Sequence, residues 1–240
     1  MAIAKTYPLP NFYRDVASEN RLSSQLFETD QTVAEVRQFV ERHIEDDFGH
    51  GMAHAVKVAL EAGALVLVEG RHAGVSEDTS HRLVKLAHCA GLFHDIKRKQ
   101  KDHAAEGAKH ARSSLPAFAL SNEEVEDIAL AIGNHEAFKD PLLLARPGGL
   151  ILSNSLYDAD KFRWGPDNFT QTLWQMVLFY NPPLSKFVAH YWKGMDGVAR
   201  IKDTFRTETG KKYGPQFIET GLRIGEDIFH MIKQEYAMYL

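Results

Sequence analysis

Chemistry is easiest to read in this chain at the adjacent pair His94-Asp95. The pair ends the apolar run Leu86-Ala87-His88-Cys89-Ala90-Gly91-Leu92-Phe93, which as a helix would be buried. An ionised aspartate buried there without a counter-charge is very costly, and a bound cation offsets that cost. Two more groups of the same kind lie in apolar helical contexts. One is His54, in Met52-Ala53-His54-Ala55-Val56-Lys57-Val58; the other is Asp160, in Leu156-Tyr157-Asp158-Ala159-Asp160-Lys161-Phe162. His54, His94, Asp95 and Asp160 together offer two imidazoles and two carboxylates, a set suited to Mn, Fe, Co, Ni, Zn or Mg. Consecutive helical residues diverge by about 100°, so His94 and Asp95 share an ion only if it sits beyond the helix end.

The order of these groups, H…HD…D over about residues 45–165, resembles the HD-domain superfamily of metal-dependent phosphohydrolases. His54 stands four residues before Val58, as the first histidine of that family stands before a valine. The central motif of the family reads L-x-H-D-I-G-K. Here Leu92-Phe93-His94-Asp95-Ile96-Lys97-Arg98 has Lys97 in place of the glycine. The last aspartate of the family follows alanine and precedes a basic residue, which favours Asp160 over Asp158.

His103-Ala104-Ala105-Glu106-Gly107-Ala108 is similar to the H-x-x-x-G-A segment of members that hold two metals, and His135 is similar to the next ligand of that set. The resemblance therefore implies one or two divalent ions per chain. In the two-ion case Asp95 bridges, and His103 and His135 hold the second ion. It also implies hydrolysis of a phosphomonoester or phosphodiester, expected to be a nucleotide, by metal-activated water, with His94 and Asp95 catalytic. Lys97 and Arg98, in the basic run just past the pair, are candidates to hold phosphate charge. His50, one helical turn before His54, is a candidate substrate contact. A nucleotide-sensing module that does not turn its ligand over is the alternative, because a fold does not fix a function.

Those residues need helices to position them. Val33, Val36, Val40 and Ile44 recur at three- and four-residue steps and predict a helix from Thr32. Helices are expected over 52–68, 80–95 and 103–113. Another starts at Ser121, where Ser121 and Glu124 form a capping box, and ends near His135. A helix leading to Asp160 follows Pro147-Gly148-Gly149, read as a turn. Helical pieces near 167–180, 184–206 and 214–238 complete the chain. Residues 1–28 read as an irregular arm with one short helix, and Gly70 to Asp78 as a loop. Sustained period-two alternation with hairpin turns is missing from the sequence. The expected fold is all-α: an N-terminal arm (1–30), an HD-type helical bundle (31–165) and a C-terminal helical extension (166–240) packed on it.

The bulk properties narrow the function classes. The 240 residues carry a net charge of −4, so no global basic field advertises a nucleic-acid surface or an anionic membrane. The single cysteine, Cys89, excludes an internal disulfide and a cysteine-based zinc site. No apolar stretch is long enough to span a bilayer, and the N-terminus lacks a secretory h-region, so a cytoplasmic protein is expected. The expected partner is a small phosphorylated molecule. The aromatic residues between 165 and 240 suit a pocket cap or a homodimer interface.

Overall fold

A computed structural model describes residues 3–44 and 51–239. Among them are eleven α-helices and no strand: α1 (Phe12–Asp15), α2 (Ala17–Thr29), α3 (Gln31–His43), α4 (Met52–His72), α5 (Glu77–Phe93), α6 (His103–Ser114), α7 (Asn122–Gly133), α8 (Pro147–Phe162), α9 (Leu173–Tyr180), α10 (Leu184–Ala199) and α11 (Glu208–Glu235). The fold is all-α, as the sequence implies.

Helices α4 and α5 form the centre. Along α4, Ala55, Val58, Ala59, Ala62, Ala64, Leu65, Val66 and Leu67 are all buried, and along α5 nearly every residue from Leu83 to Phe93 is. A helix apolar around its whole circumference needs neighbours on every side. They are supplied by α2 and α3 on one flank, and by α7 and α8 on the other; α6 packs on α7. α11 lies against α8 and α4, and α10 packs on α11. Among the described residues no helix is long and apolar enough to cross a membrane.

Several boundaries differ from the sequence reading. The N-terminal arm contains the thirteen-residue helix α2, whose buried face includes Glu19 and Ser23 beside Phe27. With polar residues on the buried side, the apolar periodicity that signals a helix is weak. Phe12 is fully buried against Phe162, Tyr213 and Phe217, which ties the arm into the core. The loop expected from Gly70 is shorter, because α4 continues to His72 and Ser76 caps α5 through the Thr79 amide. Pro147 is not a turn residue but the first residue of α8, where its missing N–H costs nothing.

The glycine-bearing stretch 210–214 lies inside α11, which starts at Glu208 with the Thr207 hydroxyl accepting from the Gly210 amide. A side chain at Gly210 would collide with the Asp158 carboxylate, so close approach explains that glycine. The chain between Asn168 and Thr172 is a single π-helical turn, and Arg200–Asp203 closes α10 as a 3-10 turn.

Candidate metal centre

Four of the sequence-predicted groups converge. His54 Nε2 lies 3.2 Å from His94 Nε2, 3.4 Å from Asp160 Oδ1 and 3.8 Å from Asp95 Oδ2. His94 Nε2 lies 3.3 Å from Asp95 Oδ2 and 3.7 Å from Asp160 Oδ1. Ligand atoms about 2.1 Å from one ion at octahedral or tetrahedral angles are about 3.0 to 3.4 Å apart. The cluster is thus compatible with a divalent ion after small inward adjustments. A second cluster shares its aspartate: His103 Nε2 and His135 Nε2 are 3.2 Å apart, and lie 3.6 and 3.5 Å from Asp95 Oδ1. The two oxygens of Asp95 therefore face different clusters, the arrangement implied for a bridging carboxylate.

The helices explain the placement. His94 stands just past the last residue of α5, and its Nδ1–H donates to the Gly91 carbonyl at 2.7 Å. His135, just past α7, donates in the same way to the Ile132 carbonyl at 2.6 Å. The last carbonyls of a helix lack intrahelical donors, and an imidazole three residues on supplies one. That bond fixes the tautomer with the Nε2 lone pair aimed at the cluster, which is what metal-binding histidines require. Gly91 also lets the helices approach: a Cβ there would lie 2.5 Å from the Ala59 Cα on α4. The close crossing brings His54 of α4 to His94.

Charges tune the site. Burial alone would disfavour the His94 imidazolium, but Asp95 and Asp160 outweigh it and pull the group up to about 10. A cation held between those carboxylates would take the place of that proton. Asp160 is buried, yet Lys161, His54 and His94 hold it well below the usual carboxylate range. Burial, and then the charge of His135, push His103 down to about 4, leaving it neutral as a ligand must be. These features fit the donor set to a divalent ion; nitrogen and oxygen donors discriminate little among the metals named above.

The remaining predicted residues divide. Arg98 reaches the second cluster, with Nη1 2.8 Å from His103 Nε2 and 3.8 Å from Asp95 Oδ1. Lys97 instead adds its charge to the burial that disfavours the His110 imidazolium, and it is not among the residues lining the cleft beside His54, Asp160 and Arg98. His50 lies outside the described residues. Asp158 serves the scaffold instead. It accepts from the amides of Arg206 and Thr207, both at 2.8 Å, and from the Thr207 hydroxyl at 2.7 Å. These bonds anchor the start of α11, while Asp160, two residues on, faces the site.

Sequence reasoning missed Lys161, which is buried and bonds Asp160 Oδ2 at 2.5 Å, steering Oδ1 to the cluster. It also missed the buried Arg163, which pairs with Glu61 at 2.5 Å and with Tyr13 at 3.0 Å. Lysine and arginine are so often solvated that their identity carries no signal; only a partner on another helix reveals them.

One solved structure shares this arrangement of helices. It is a predicted HD superfamily hydrolase from an uncultured Thermotogales bacterium, 21% identical, with a TM-score of 0.53 over 89% of this chain and 98% of that one. The chain has the HD-type fold. A share of 89% is too large to be confined to residues 31–165, so the HD-type likeness takes in much of the C-terminal helices. No protein-family model and no curated protein matches the chain.

Proposed function

We propose that this chain is a metal-dependent hydrolase of phosphate esters. One observation carries the reading: the Asp95 carboxylate presents Oδ2 to His54 and His94, and Oδ1 to His103 and His135. The HD-type neighbour, itself described as a predicted hydrolase, supports the same reaction class. Divalent ions held there supply positive charge for the phosphoryl oxygens and lower the pKa of water.

The protein's own groups do the rest. Lys161 keeps Asp160 ionised and oriented. Gly91 and Ile132 hold His94 and His135 in the ligating tautomer. Arg98 places a guanidinium at the edge of the second cluster, where it can grip a phosphoryl oxygen. Water adds to phosphorus, the P–O bond to the alcohol breaks, and the alcohol leaves with a proton, giving inorganic phosphate from a monoester.

The test is metal analysis of purified protein together with phosphate release from a panel of mono- and diesters after loading with manganese. Asp95→Ala is expected to lower both the metal content and the rate, the rate by more than about 100-fold. A fully metallated protein that is inert across the panel refutes the proposal; tight nucleotide binding without product would then favour a sensing module.

A further inference from the structure

A single cleft of about 700 Å³ contains His54, Asp160 and Arg98 at one end and residues of the C-terminal helices at the other. That volume lies in the range that takes a whole small organic molecule. Away from the donor clusters its wall is built from Trp164, Phe169, Leu173, Met176, Phe187 and Met195. Two polar residues of the lining are largely engaged elsewhere, while Asn168, Thr172 and Asn181 also line the cleft. Arg163 is held by Glu61, Tyr13 and Asp167. Tyr191, which also lines the cleft, donates its hydroxyl to the Gly225 carbonyl at 2.8 Å, so its ring is what remains to face a ligand. Lys186 and His190 are exposed at the rim, and His190 Nδ1 bonds the Lys186 carbonyl.

We propose that the substrate is a phosphomonoester of an alcohol bearing a large apolar group. The phosphate lies at the donor clusters and Arg98, and the apolar group fills the chamber built by residues 164–198. The phosphate end rests on the hydrolase reading above; the chamber does not. A sugar or nucleoside brings several hydroxyls; apart from Asn168, Thr172 and Asn181 the chamber wall is mainly carbon, so most of those hydroxyls would be buried unmatched, which is penalised. An alkyl, prenyl or aryl group has no such requirement and gains from each carbon removed from water.

The experiment is calorimetric binding of methyl-, butyl-, hexyl- and octylphosphonate, AMP and ribose 5-phosphate to the manganese-loaded protein. Turnover of the matching alkyl phosphates is followed in parallel. Affinity should rise about three- to fourfold per added methylene until the chamber is filled, and octylphosphonate should outbind AMP and ribose 5-phosphate by more than tenfold. Met176→Glu, at a position 40% exposed and therefore tolerant of charge, should flatten the rise with chain length. Affinity that does not grow with chain length, or tighter binding of AMP or ribose 5-phosphate, overturns the inference. Chain-length-dependent binding without turnover of any ester upholds the chamber and refutes the hydrolase. Turnover of short esters with no chain-length dependence does the reverse.

Discussion

Replacing Gly91 by alanine should damage the metal centre without touching a ligand. The new Cβ would lie 2.5 Å from the Ala59 Cα and 2.6 Å from the Ala59 nitrogen, both backbone atoms of α4. Ordinary carbon contacts are about 3.5 Å or more, so α4 and α5 must part by about 1 Å. His94 lies three residues beyond Gly91 and His54 five residues before Ala59, so the shift falls on the 3.2 Å separation of their Nε2 atoms. Metal–ligand distances tolerate about 0.2 Å, several times less than this displacement. The expected loss is about 10- to 100-fold in manganese affinity, the scale seen when groups behind a ligand are lost. Overpacking should also cost about 1–3 kcal/mol of stability.

Isothermal titration with manganese and urea unfolding of the apoprotein read the two effects separately. Gly197→Ala on α10 is the control, because a Cβ there meets nothing within 4 Å. It should leave affinity unchanged and stabilise by about 0.4–1 kcal/mol. A folded G91A protein with wild-type affinity would refute the idea that this helix crossing sets the His54–His94 distance.

Two further outcomes concern stability. His88 is fully buried beside Ser23 Oγ at 2.9 Å, and burial pushes its imidazole from 6.5 down to about 3. Its folded pKa is depressed, so the unfolded chain takes the proton first and stability falls as pH drops from about 6.5 toward about 3. At pH 5, still above the folded value, the loss relative to neutral pH is about 2 kcal/mol. His88→Leu should lack that contribution, and the stability gap between the two proteins should shift by this amount between pH 7 and 5; an unchanged gap counts against it. Glu61→Ala leaves the buried Arg163 charge with Asp167 and Tyr13 alone and should cost about 3 kcal/mol in denaturant unfolding. A cost below about 1 kcal/mol would show that the pair is replaceable.

The candidate donors that cluster in space stand out in the sequence because carboxylates and imidazoles in apolar helical runs are costly unless something compensates them. His54, His94, Asp95, Asp160, His103 and His135 all stand out by that test or by their likeness to a known motif. The helices that carry them were legible through periodicity and the Ser121 cap. What failed to show has a common cause. α2 buries Glu19 and Ser23, so its pattern is not apolar. Pro147 and the glycines of 210–214 carry turn chemistry in isolation but serve a helix start and a close approach in context. Lys161 and Arg163 owe their roles to Asp160 and to Glu61, and for Glu61, 102 residues away, no local pattern encodes the pairing. The cleft is likewise made by walls distant in sequence.

The six donors come from five separate stretches of chain, on or at the ends of α4, α5, α6, α7 and α8. An unfolded chain has no reason to gather them, so an ion bound here distinguishes the native state from every other. Its binding free energy is then also cohesion of the bundle. At a free concentration a hundred times the dissociation constant, one ion adds about 2.7 kcal/mol. If the clusters hold an ion as proposed, chelation would loosen the whole helical scaffold, and the melting temperature would become a thermometer of metal supply.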